Sequence, residues 1–294
     1  MELRNALKDL MEKRGISLKA VSRSLGISTA TLSQWLNNSY TGNVTKIEEA
    51  VKGFIERQME KHKTSVNSIE FVMTSVAKKV FEIARICHID GEIGVCYGDS
   101  GVGKTMAVKE YARRNTDVIL VEADLGYTAK VLFAELHRRL GMDGRGTIHD
   151  MFEDVVAKLR GSGRLIIVDE AEHLPYRALE LLRRVYDKAG VGILLVGMPR
   201  LIANLRGKKG EYAQLYSRVG VAAKVEGLKP SDTEEFVKAV MPNSNGVWKA
   251  YHEASYGNMR VLCKLLKRSM RVAEINNMAV SPEIVRETAK MLII

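Results

Sequence analysis

Eight consecutive residues, Gly98-Asp99-Ser100-Gly101-Val102-Gly103-Lys104-Thr105, have the spacing of a loop built to cradle phosphate. The backbone amides of Ser100 to Thr105 are expected to converge on the β- and γ-phosphates of a nucleoside triphosphate, aided by the positive end of the helix that follows. Lys104 adds a point charge between those phosphates, Thr105 offers its hydroxyl to Mg2+, and Met106 completes the nucleotide-binding run. Further along, Leu165-Ile166-Ile167-Val168-Asp169-Glu170 is an apolar run ending in two carboxylates. Asp169 is expected to hold the magnesium, directly or through water, and Glu170 to polarise the attacking water. Lys104, Asp169 and Glu170 are thus the candidate catalytic groups for phosphoryl transfer to water. Glu172 and His173, which follow, are expected to cap the next helix or face solvent rather than bind a metal.

Such residues need a rigid frame. Short apolar runs predict strands over 93–97, 118–122, 165–168 and 192–196. Amphipathic stretches between them predict helices over 104–114, 129–140, 148–159 and 177–188. This alternation predicts an α/β fold, a parallel sheet flanked by helices on both faces, with the phosphate loop between a strand and a helix. Beyond about Val225 the strands stop, and helices over 231–240, 247–255, 259–276 and 282–292 predict a C-terminal helical lid. The predicted domains are 1–65, 66–225 and 226–294. A polar connector is expected over about 58–75, with its hinge at Lys61-His62-Lys63-Thr64-Ser65.

The first segment reads as short helices with a helix-turn-helix pattern from Ser17 to Leu36. Ala20 is expected to let two helices cross closely, Gly26 to permit the turn, and Val21, Leu25, Ile27, Leu32, Trp35 and Leu36 to face inward. Ser28 is the expected cap of the second helix. The outward residues Thr29, Thr31, Ser33, Gln34 and Asn37 are short and polar, as on a helix that enters a DNA groove. A small helical domain for protein contacts is the alternative. The pattern resembles helix-turn-helix modules of the phage-repressor type, which favours DNA.

The chain of 294 residues carries a formal net charge of +10, which attracts polyanions. Cys87, Cys96 and Cys263 show no metal-ligand spacing, and no apolar stretch nears the roughly 20 residues a membrane span needs. No membrane partner and a cytoplasmic setting are expected. Two basic clusters are candidates for DNA. Arg260, Lys264, Lys267, Arg268 and Arg271 share one face of a predicted helix, and Arg200, Arg206, Lys208 and Lys209 bracket an expected mobile loop. Charge reversal at Lys208 and Lys209 is expected to weaken DNA affinity and flatten its salt dependence. Solvated, inert faces are the plain alternative for both clusters.

The order of phosphate loop, Asp-Glu strand, further strand and helical lid is similar to AAA+ ATPases. Within them the chain resembles the phage Mu transposition protein B family. The likeness runs over nearly the whole chain and includes the helix-turn-helix ending at Ser33 to Asn38, the string Ile167-Val168-Asp169-Glu170-Ala171-Glu172-His173-Leu174, and Leu215-Tyr216-Ser217-Arg218-Val219. The resemblance implies that Arg218 is an arginine finger reaching a neighbouring subunit's ATP and that Arg260 is the lid arginine that senses it. It implies an ATP-dependent homo-oligomer or helical filament on duplex DNA, bound with little sequence preference and handed to a transposase. Met198 departs from the family pattern, which commonly has a polar residue there. A thioether cannot orient water as an amide does, so slow hydrolysis used as a switch is expected. An ATP-gated, sequence-specific transcription regulator and a helicase loader are the competing expectations.

Overall fold

The computed structural model describes residues 2–63, 71–207, 213–244 and 246–292. The chain divides into two compact units, Met1–Ser68 and Ile69–Ile294.

The first unit is helical: α1 (Glu2–Arg14), α2 (Leu18–Leu25), α3 (Thr29–Leu36) and α4 (Val44–Lys63). Leu7, Val21, Leu32, Trp35 and Val51 are fully buried at its centre, with Leu25, Ile27 and Leu36 packed against them. Gly26 ends α2 at φ 67°, a left-handed turn glycine makes without strain. Ser28 caps α3 by accepting a hydrogen bond from the Thr31 amide at 3.0 Å. Ala20, however, is exposed. The buried small residue of α2 is Ser22, 3 % exposed, whose Oγ donates back to Lys19 O at 3.1 Å and so carries its hydroxyl into the core satisfied. The helices are also not all short, because α4 runs 20 residues. Lys61–Lys63 of the expected hinge continue that helix, and Thr64 and Ser65 lie outside the described residues.

The second unit opens with α5 (Ser75–Asp90), capped by Thr74. It continues with β1 (Ile93–Tyr97), α6 (Lys104–Arg114), β2 (Val118–Glu122), α7 (Ala129–Arg139), α8 (Ile148–Leu159) and β3 (Leu165–Asp169). A single 3-10 turn over Ala171–His173 leads into α9 (Tyr176–Ala189) and β4 (Gly192–Gly197). Then follow α10 (Arg200–Arg206), α11 (Ala213–Tyr216) and β5 (Val219–Lys224). The five strands lie in the order β2-β3-β4-β1-β5, and all paired neighbours are parallel. In register, Cys96 pairs Val196 and Val121 pairs Val168. The C-terminal ends of β1, β3 and β4 therefore open on one edge, where the helix after β1 starts. Because helices cover both faces, β3 and β4 are buried at every position, which is why they read as unbroken apolar runs.

Two expectations need correction here. Arg200 and Arg206 belong to α10 and not to a mobile loop, while Lys208 and Lys209 lie outside the described residues. The expected connector starts too early, because α4 runs to Lys63, whereas its far end agrees with the start of α5 at Ser75.

The last four helices, α12 (Pro230–Val240), α13 (Trp248–Ser255), α14 (Met259–Ile275) and α15 (Pro282–Lys290), pack into the same core as β1, α5 and α6. Buried Asp232 joins them to the sheet layer: its carboxylate accepts from the Ser75 amide at 2.7 Å and from the Lys229 amide at 2.8 Å. One side chain thus satisfies orphan donors at the starts of both α5 and α12.

Candidate functional site

The loop between β1 and α6 meets its helix at Gly103, whose φ of 112° a side chain would not tolerate. No side chain caps α6, so the first amides of the helix stay free for an anion. Lys104 is 8 % exposed, and its Nζ donates to Gly98 O at 2.7 Å and Asp99 O at 2.8 Å. These bonds hold the ammonium within the curl of the loop. Burial pulls its pKa down, while the carboxylates of Asp169, Glu172 and Asp99 push it back up. The Cys96 thiol itself is pushed up to about 12, chiefly by burial, and is chemically inert beside the loop.

Asp169 ends β3, 2 % exposed. Burial raises its pKa above the usual carboxylate range, opposed by hydrogen bonds from the Thr105 hydroxyl and the Glu170 amide. The Glu170 amide reaches its Oδ1 at 3.0 Å, and its buried Oδ2 is without a hydrogen-bond partner. An orphaned carboxylate oxygen beside a threonine hydroxyl suits a hard, oxygen-seeking divalent cation. Among the described residues no cluster of three or more His, Cys, Asp or Glu could hold a metal alone. Thr105 and Asp169 therefore fit magnesium only in company with phosphate oxygens, the usual arrangement for that ion. Glu170 has φ 53°, a left-handed conformation costly for a non-glycine residue, and its side chain is half exposed. The turn it makes swings Glu172 inward. Glu172 neither caps a helix nor faces solvent: it is 8 % exposed, its Oε2 is unpartnered, and it packs so closely on Gly197 that any side chain there would collide with it. His173 also turns away from solvent, with a 16 % exposed side chain.

The lid reaches the loop directly. Asn258 Nδ2 donates to Ser100 O at 2.9 Å, the Arg260 amide to Gly101 O at 3.1 Å, and Arg260 Nη1 to Ser100 Oγ at 3.3 Å. Asn258 also caps α14 through its Oδ1. Its Asn-before-helix type signals a cap, but nothing local in the sequence signals its grip on the loop. A cavity of about 340 Å3 results, lined by Ser100, Gly101, Gly103 to Met106, Asp169, Glu170, Glu172, His173, Met198 and Arg260. Gly98, Asp99 and Val102 complete the loop behind that lining. Arg218 is placed elsewhere within this chain, its Nε 3.2 Å from Asp187 Oδ1.

The family model for an AAA domain matches residues 88–205, and one for a helix-turn-helix matches residues 7–50. The chain is 32 % identical over 248 residues to the Mu-like prophage FluMu DNA transposition protein B of Haemophilus influenzae, covering 81 % of this chain and 85 % of that protein. The chain belongs to the Mu transposition protein B family. Another member, the ATP-dependent target DNA activator B of Escherichia phage Mu, is 28 % identical over 99 % of this chain and 95 % of its own. The Aeropyrum pernix ORC2 protein shares the fold at a TM-score of 0.59 and 20 % identity, over 78 % of this chain and 71 % of that one. The chain thus carries, in sequence order, a helix-turn-helix, an AAA domain and a C-terminal helical lid.

Of the candidate DNA-binding residues, Thr29 and Gln34 are exposed on α3, and Thr31 is half-buried with its hydroxyl 2.8 Å from Ser28 Oγ. Lys264, Lys267 and Arg268 are exposed on α14, and Arg271 is half-buried. Arg206 stacks on the Tyr216 ring and donates to its hydroxyl at 2.8 Å. No helix among the described residues is long and apolar enough to cross a membrane.

Proposed function

We propose that this chain is an ATP-dependent activator of target DNA in transposition. Bound ATP lets subunits assemble on duplex DNA with little sequence preference, the assembly presents that DNA to a transposase and promotes strand transfer, and slow hydrolysis releases it. The observation that carries this reading is the hold of the lid on the phosphate loop. Asn258 and Arg260 touch Ser100 and Gly101, so a nucleotide entering the loop meets the sheet and the lid helices together.

In this reading Lys104 and the free amides of α6 bind the triphosphate, and Arg260 adds positive charge from the lid. Thr105 and Asp169 hold Mg2+, which supplies charge neutralisation on the β- and γ-phosphates when bound. Glu170 orients and deprotonates the attacking water. Met198 lines the cavity and offers no donor to that water, which supports slow turnover. Arg218 and its neighbours face a second subunit, where the guanidinium completes that subunit's site. The exposed lysines of α14 and the polar face of α3 contact DNA, the first through phosphates and the second within a groove.

Electron microscopy of the chain with random-sequence duplex, with and without ATP, tests the assembly. Oligomers that form on DNA only with ATP are expected, and their absence overturns the reading. Turnover measured alone, with DNA, and with DNA and transposase is expected to rise at each step. The helix-turn-helix match favours one second reading, an ATP-gated sequence-specific transcription regulator. Tight binding to one short operator, indifferent to ATP, would replace the first reading with the second.

A further inference from the structure

The 3-10 turn after β3 is gripped by α10, the helix that begins two residues beyond Met198. Asn204 Nδ2 donates to Glu172 O at 3.0 Å, and the Arg200 guanidinium lies 3.9 Å from the Glu172 carboxylate. Arg200 Nη2 also sits 3.2 Å from each ring nitrogen of His173. The far side of the network is Glu170, whose Oε2 is 3.7 Å from His173 Nε2. Equal distances to the two nitrogens place the guanidinium against the ring and not on one lone pair, so Arg200 holds the imidazole by packing on it. The Nε2 edge of the ring so held is the one that faces Glu170. At 3.7 Å that contact is longer than a hydrogen bond, as catalytic contacts often are before the reacting complex forms.

We propose that His173, steadied by Arg200, is a positioning residue for Glu170. Glu170 is half exposed and sits on a left-handed backbone, so its carboxylate has few neighbours to hold it toward the water it must activate. The residue at the end of β4 cannot help, because Met198 has no hydrogen to donate. The helix after β4 supplies the orientation instead, through the last residue of the 3-10 turn that follows the base: Arg200 fixes the ring and the ring fixes the carboxylate. His173 touches neither phosphate nor metal in this role. The inference rests on the proposed part of Glu170 in hydrolysis.

The test compares single-turnover hydrolysis and direct ATP affinity for the full chain and its variants on duplex DNA. His173→Ala is expected to lower the rate about tenfold to a hundredfold, as loss of alignment does, with ATP affinity held within about twofold. His173→Gln keeps an N–H near the Nε2 position and is expected to recover most of the rate. Arg200→Ala lowers the rate in the same direction, and the double variant is no slower than His173→Ala, since both act through one ring. A His173→Ala rate within about twofold of the parent overturns the inference. So does a loss that follows ATP affinity, or a glutamine variant as slow as alanine. If His173→Ala does not fold, the glutamine and Arg200 variants decide the matter on the same criteria. Glu170→Gln separates the two levels: full turnover there removes the role of Glu170 itself, whereas a dead Glu170→Gln beside an unaffected His173→Ala removes only the positioning role.

Discussion

Asp169 must ionise to hold a cation, yet the fold around it opposes ionisation. Its carboxylate is 2 % exposed with one oxygen unpartnered, and burial raises its pKa from 3.8. Between the unfolded value and the raised folded one, the native chain binds more protons than the unfolded chain. Stability therefore falls as pH rises through that window, and the cost is fully present above the folded pKa. Asp169→Asn removes the charge, so it is expected to raise the melting temperature of nucleotide-free protein at neutral pH while abolishing magnesium-dependent hydrolysis. A gain of about 2–4 °C corresponds to roughly 1 kcal/mol in a unit of this size. The gain should shrink as pH falls through the raised folded value and vanish below 3.8, where the carboxyl is protonated in the folded and unfolded chain alike. Thermal unfolding of both proteins across pH measures this, and a gain that does not vary with pH would refute it. The two carboxylates at the end of β3 are legible in the sequence because an apolar run followed by Asp-Glu has few other uses. Glu172 was not legible. The positive φ of Glu170 breaks the strand's alternation, and only the folded turn reveals that the next acid points under β4.

At the scale of elements, the strands were legible where continuous burial left them continuously apolar, as in β3 and β4. The failures share a cause. Arg200–Arg206 is seven residues long, framed by Pro199 and Gly207 and rich in cations, so its local signal is that of a loop. Its helicity comes from burying Leu201 and Leu205 against the sheet. In the first unit, pattern alone asked for a small residue between the helices but chose Ala20 over Ser22, since a serine advertises polarity and hides its ability to satisfy Lys19 O. The pair yields a direct contrast. Ser22→Leu forces a large side chain into a fully packed site and is expected to cost about 1–3 kcal/mol, whereas Ala20→Leu on the exposed face should stay within about 0.5 kcal/mol. Urea unfolding followed by fluorescence in a Trp248→Phe background reports the first unit, because the remaining tryptophan, Trp35, is fully buried in its core. Equal effects at the two positions would mean that Ser22 is not the buried one of the pair.

For the whole molecule, a net charge of +10 draws DNA toward every basic surface, so affinity alone cannot locate the contact. Salt dependence can, because each phosphate contact releases counterions and adds about 0.9 to the slope of log affinity against log salt. Lys264 and Lys267 are exposed on α14 and take part in none of the ion pairs among the described residues. Their helix is the one whose first turn grips the phosphate loop through Arg260 and Asn258. In the proposed reading, a basic face on that helix places the DNA and nucleotide contacts on one element. Lys264→Glu with Lys267→Glu is expected to weaken binding to random duplex in the presence of ATP and to lower the salt slope by roughly 2, one unit for each lost contact. Thr29→Ala with Gln34→Ala on α3 should behave differently. Uncharged side chains release no counterions, so the slope is expected to hold while any preference among sequences fades. Titrations of both double variants against duplexes of varied sequence over a range of salt separate the two surfaces. An unchanged slope in the lysine variant would move the phosphate contacts off α14.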